Sequence, residues 1–156
     1  PGLAQHKTLS YLASSLGQIW LGENASSPRA EGLFVALDGA VLEGTSSNVF
    51  IVEGDTLVTP PVETGILGGI SRRIILEMAP GLGLATQEKN FDVERLRRAD
   101  EVFITSSTLH LAPVTALDGL PLADGDERPV VRRLQTAFHD RVCAEVDAYW
   151  ADSEEP

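Results

Sequence analysis

The chain has 156 residues, 43% of them hydrophobic, and a formal net charge of −11 at pH 7. That length suits one domain with a proper core. No run approaches the roughly 18 apolar residues that a membrane-spanning helix requires, and the negative charge opposes phosphate backbones, which speaks against a nucleic-acid partner. Cys143 is the only cysteine, which excludes an internal disulfide and fits a reducing cytoplasm. His6, His110 and His139 are far apart, so no metal site is expected.

In chain order, Leu9, Leu12, Leu16, Ile19 and Trp20 recur at three- and four-residue intervals and predict a helix that ends near Gly22. The stretch 23–32 reads as an exposed connection. Residues 33–44, "LFVALDGAVLEG", are two strand-like runs bent at Asp38-Gly39, and 47–61 repeat the design around Gly54-Asp55. A glycine-rich loop, "GILGG", then runs into a helix carrying Ile70, Ile74, Ile75 and Met78, which "PGLG" at 80–83 stops. "LATQEKNF" suits an edge strand, and Asp92 caps a short helix whose arginines at 95–98 form a solvated face. "EVFITSS" at 101–107 reads as a buried strand ending in hydroxyls, and 112–125 supply two more short strands. The closing helix places Val131, Leu134, Phe138, Val142 and Val146 on one face. The domain is expected to span 1–150, with an acidic tail at 151–156.

Four features bear on chemistry, each with a plain structural alternative. Glycines in "GILGGISR" let backbone N–H groups turn toward a ligand at a helix N-terminus, an arrangement that suits a phosphate or simply feeds a core helix. The lysine of a Walker loop is missing. Glu43 closes an apolar strand, either to face a protonated ring nitrogen or as a turn residue. "TSST" at 105–108 offers hydroxyls at a strand end, where turn formers are also common. Lys7 is one of two lysines, with Lys89, and begins an apolar helical run; it is either a reactive amine or a snorkelling side chain. An amine, a carboxylate and two phosphate cradles are parts that a pyridoxal phosphate enzyme requires.

"HKTLSYL", "VLEGTSSNVFIVEGDTLVTPP", "GILGGISRRI" and "ADEVFITSSTLHLAPVTALDG" resemble the C-terminal part of class IV aminotransferases, the fold-type IV pyridoxal 5'-phosphate enzymes. D-amino acid and branched-chain aminotransferases and aminodeoxychorismate lyase belong to that family. The resemblance covers Lys7 to about residue 142. It implies an α/β fold: a curved, barrel-like, mostly antiparallel sheet flanked by helices. Lys7 matches the Schiff-base lysine, and Glu43 the carboxylate facing the pyridine nitrogen. Ser46, Ser47 and Asn48 match residues that support cofactor or substrate. Leu67 matches an apolar residue packed on the ring. Gly69, Ile70 and Ser71 match the phosphate loop, Ile70 acting through its backbone N–H. Ser106 and Ser107 match the second phosphate contact.

The implied reaction is transamination between an amino acid and a 2-keto acid, in a cytoplasmic homodimer. Two alternatives stand beside it: a lyase of the same fold that releases pyruvate by elimination, and a non-catalytic module kept for pairing with another subunit. Family members carry a smaller N-terminal domain ahead of the lysine, whereas only six residues precede Lys7 here. The expectation is that this chain is a fragment of a longer protein.

Overall fold

A computed structural model describes residues 12–25, 27, 29–122 and 127–153. Lys7 therefore lies outside the described residues. Helix α1 (Leu12–Asn24) leads into a two-stranded antiparallel ribbon, β1 (Leu33–Val35) with β2 (Val41–Gly44). Its bend falls at Asp38-Gly39: Gly39 takes φ 88°, a conformation glycine adopts without steric cost, and the Asp38 carboxylate accepts the Ala40 N–H at 3.1 Å. The second expected hairpin is also present, as β3 (Asn48–Glu53) and β4 (Thr56–Thr59) around Gly54-Asp55.

β3 and β4 belong to a five-stranded sheet in the order β5-β4-β3-β6-β7, where β5 is Ala85–Glu88, β6 Glu101–Ser106 and β7 His110–Pro113. Only β4 and β5 pair in parallel. The implied α/β class and mostly antiparallel sheet therefore hold, but the sheet is open among the described strands and does not close into a barrel. A second small ribbon joins β8 (Ala116–Leu117) and β9 (Leu120–Pro121).

Strand alternation sends successive side chains to opposite faces, and each face has its own cover. On one side Phe50, Val52, Leu57, Phe103 and Leu111 pack under helix α2 (Ile70–Met78) through Ile75, and under α4 (Pro129–Ser153) through Val131, Leu134 and Phe138. On the other, Val49, Ile51, Val58 and Val102 meet Val41, Phe91, Leu96 and Ala99 around α3 (Val93–Arg98). Each large apolar side chain buried this way contributes about 1.5–3 kcal/mol. Phe50 and Phe103, opposite each other on β3 and β6, stack with centroids 4.8 Å apart.

Three expectations change in detail. Helix α1 runs past Gly22 to Asn24, and its apolar stripe stays exposed, with Leu12, Leu16, Ile19 and Trp20 each 57–68% accessible. Strand β7 was not expected as a separate element, because its hairpin with β6 carries no Gly or Asn signal. Its turn is built instead by Ser106, whose Oγ accepts the Leu109 N–H at 3.1 Å, with His110 at φ 56°. Arg98 of α3 is exposed as expected, but Arg95 and Arg97 are partly buried: Arg95 grips Glu53 through two bonds of 2.8 and 2.7 Å, and Arg97 meets Asp118 at 2.9 Å.

The N-terminus of α4 is closed from outside the helix. Both oxygens of buried Glu101 accept its first N–H groups, from Val130 at 2.9 Å and Val131 at 2.8 Å. A carboxylate there also meets the positive end of the helix dipole. Glu101→Ala should therefore cost about 2 kcal/mol of stability, read as a lower urea midpoint.

Candidate functional site

Glu43 sits at the end of β2, next to the turn at 45–47 that leads into β3. It is half-buried, and its Oε2 accepts the Leu67 N–H at 3.0 Å and, more weakly, the Asn48 Nδ2 at 3.4 Å. Asn48 is itself buried and donates from Nδ2 to the Leu67 carbonyl at 2.7 Å. Leu67 is thus held by its N–H and its C=O, one to a carboxylate and one to an amide. Two residues on, Gly69 passes so close to Asn48 that an added Cβ would collide with its Oδ1. Glycine is needed there for close approach; its φ of −63° makes no special demand.

Gly69 is also the N-cap of α2 and has no side chain to cap it, and none among the described residues does so. The N–H groups of its first turn have no intrahelical acceptor, so Ile70 and Ser71 bring an uncapped positive helix end to the site. Ile70 is 63% exposed, whereas Ser71 is buried. The Ser71 hydroxyl donates to the Ser106 carbonyl at 3.0 Å, so it must leave that carbonyl before it can donate to an anion. This contact brings the glycine-rich loop and the "TSST" strand end together. Ser106 exchanges a hydrogen bond with the Thr108 hydroxyl at 3.3 Å, and Ser107 is exposed in the turn.

Ser46 is exposed and Ser47 buried, and both bond to a residue that the motifs did not single out, Glu31. Nothing in residues 23–32 marks Glu31 from the sequence; only the folding of that connection against the 45–47 turn brings it to the site. Of the expected residues, Glu43, Asn48, Leu67 and Gly69 come together, and Ile70, Ser71 and Ser106 gather at the adjoining helix end. Ser46 and Ser47 border the first group, and Lys7 lies outside the described residues. An open groove of about 470 Å³ beyond Gly69 is lined in part by Arg72 and Glu88, but its lining does not include Glu43, Ser71 or Ser106. There the buried Arg72 guanidinium is committed to the Pro60 carbonyl at 2.9 Å and to Glu88 at 2.6 Å.

A class IV amino-transferase family model matches residues 1–117. The chain belongs to the class IV aminotransferase family. It is 37% identical over 130 residues to a D-alanine aminotransferase of Bacillus licheniformis, which covers 83% of this chain and 46% of that protein. It is 43% identical over 96 residues to an aminodeoxychorismate lyase of Bacillus subtilis (strain 168), covering 62% of this chain and 33% of the relative. Among solved structures, a branched-chain amino acid aminotransferase from Thermobaculum terrenum in its PLP form superposes with a TM-score of 0.81 at 30% identity, over 89% of this chain and 45% of that one. The chain thus spans less than half the length of each of these relatives.

Burial pushes the Glu43 carboxyl above its ordinary range, and the Leu67 N–H pulls it back only in part. A raised value in the fold means that the ionised form is penalised by folding. Relative to a neutral isostere, stability is complete below the ordinary value of 4.5 and is lost as pH rises through the folded value. Without a cofactor, wild type and Glu43→Gln should melt at similar temperatures below pH 4.5, and wild type should fall behind as pH rises toward 7. A gap of constant size across that range would contradict this account of the site.

Proposed function

We propose that the chain is the cofactor-binding part of a pyridoxal 5'-phosphate-dependent aminotransferase that moves an amino group from an amino acid to a 2-keto acid. The observation that carries the reading is the span tied together by Leu67. Its N–H meets the Glu43 carboxylate, and three residues later α2 opens with an uncapped N-terminus. A cofactor with a basic ring nitrogen at one end and a phosphate at the other suits those two ends.

Two features of the chain support this fit. The Glu43 carboxyl is desolvated, and no cation among the described residues offsets that cost. A protonated ring nitrogen would supply the missing charge and restore the carboxylate. On the sheet face that α2 covers, the Thr105 hydroxyl is buried with no hydrogen-bond partner, an unspent polar group close in sequence to the second cradle.

When bound, the cofactor supplies a cationic ring that withdraws electrons from the substrate's Cα. The chain's own residues do the rest. Glu43 keeps the proton on the ring nitrogen. Ile70, through its N–H, holds the phosphate together with Ser71, Ser106 and Ser107, and Leu67 packs its partly buried side chain against the ring. Lys7 would hold the cofactor's aldehyde carbon through its amine, and the same amine, when free, would take the substrate's Cα proton and return it on the cofactor side. A cytoplasmic homodimer belongs to the same reading.

The identity to the Bacillus subtilis lyase favours one second reading, elimination from an aminodeoxychorismate-like substrate. It differs in product: elimination releases pyruvate with no amino acceptor, whereas transamination requires a 2-keto acid. Assaying pyruvate with and without an acceptor separates the two.

The decisive test uses the chain's two lysines. Mixed with pyridoxal phosphate, reduced with borohydride and mapped by peptide mass spectrometry, the full chain should carry the label on Lys7 and not on Lys89. Lys7→Ala should lose the label and all turnover. Label spread over both lysines and the N-terminus, or no label at all, would overturn the reading.

A further inference from the structure

Glu31 has no part in the reading above, yet it gathers three donors on one carboxylate oxygen. Its Oε1 accepts the Ser46 N–H at 2.7 Å, the Ser47 hydroxyl at 2.9 Å and the Ser46 hydroxyl at 3.0 Å. The approach is close enough that a Cβ on Gly44 would run into both Glu31 and Ser47. The same turn is tied from below. The Thr45 N–H donates to the Gly32 carbonyl at 2.9 Å, and the Thr45 hydroxyl accepts from Gln18 of α1 at 2.8 Å. The Thr45 methyl fills the space left by the missing side chains of Gly17 and Gly32. The segment that follows Glu43 is thus clamped to residues 31–32 and to the helix that follows Lys7.

A serine hydroxyl has one proton and two lone pairs. With both protons given to Glu31, Ser46 and Ser47 keep only lone pairs for anything else, and a carboxylate stands directly behind them. We propose that Glu31 is a positioning residue that fixes the 44–47 turn and sets its polarity, so that Ser46 and Ser47 meet a bound molecule as hydrogen-bond acceptors. The turn therefore takes a donor group of the ligand, an ammonium or a hydroxyl, and turns away phosphate and carboxylate oxygens. The inference rests on the proposed function for the identity of the ligand: it assigns the anionic end to the α2 cradle and a donor-bearing part to the Glu43 side.

The test is an amide NMR experiment on the ¹⁵N-labelled full chain without cofactor, with inorganic phosphate as the anionic probe. In wild type, phosphate should move the Ile70 and Ser71 amides and leave Ser46 and Ser47 in place. In Glu31→Ala, the Ser46 amide should exchange with solvent about tenfold faster or more, while Phe50 and Ile51 in the core stay protected. Phosphate should then shift Ser46 and Ser47 as well, because their hydroxyls are free to donate and the charge behind them is gone. Glu31→Gln keeps an acceptor oxygen and should hold most of the protection at Ser46, a rescue that separates the hydrogen bonds from the charge.

Phosphate shifts at Ser46 and Ser47 in wild type would overturn the inference, as would unchanged Ser46 exchange in Glu31→Ala. If Glu31→Ala exposes the core amides too, the wild-type titration and Glu31→Gln decide. Silence at Ile70 and Ser71 would instead count against the phosphate cradle of the proposed function, and the Ser46 exchange rates would still decide the role of Glu31.

Discussion

Pairing between β3 and β6 runs through five registered residue pairs, from Asn48 opposite Thr105 to Val52 opposite Glu101, and almost every other feature hangs on that register. In its middle, Phe50 and Phe103 stack and anchor the face that α2 and α4 cover. At one end, Asn48 reaches Leu67 and Ser106 accepts from Ser71. At the other, Glu101 receives the N-terminus of α4. A slip of one residue would turn the Phe50 and Asn48 side chains to the opposite face together, so core and site depend on the same pairing.

The site that results is polar and, among the described residues, nearly without positive side chains. Glu31 takes the donors of the turn and Glu43 the Leu67 N–H, and among the described residues the positive field comes from the backbone at the start of α2. Arg72, in that first turn, is turned away to Pro60 and Glu88. Charge is therefore graded along one short path: carboxylates at the β2 end, unpaired N–H groups at the α2 end, and the Leu67 backbone between them. A ligand that carries opposite charges at its two ends meets a matching gradient without any large rearrangement of the chain.

Much of this was legible before folding. Asp38-Gly39 and Gly54-Asp55 marked hairpins because few residues other than glycine occupy those backbone conformations without strain, and the apolar periodicity of 131–142 marked a covered helix. The glycine loop ahead of Ile70 marked an open helix N-terminus for the same local reason. Where the signal was not local, it failed. Glu31 lies in a stretch that reads as a polar connection, and its importance comes from donors 15 and 16 residues away. The "TSST" hydroxyls suit a turn or an anion site equally well in sequence, and only the fold shows Ser106 building the β6–β7 turn. The stripe of α1 is apolar in sequence and exposed in the fold, since periodicity says only that a face is apolar and nothing about what covers it.

The sequence by itself determined the two glycine hairpins, the family and the candidate residues Lys7, Glu43, Ser71 and Ser106, since each is a property of a short window or of a motif string. Only the tertiary structure decided which of them meet. It joined Ser71 to the end of β6 and tied Glu43 to Asn48 through Leu67. It also placed Glu31 behind both serines and left the sheet open among the described strands. Those outcomes depend on strand register and on desolvation by distant segments, and a carboxylate's burial or a hydroxyl's partner is set by whatever the folded chain packs beside it.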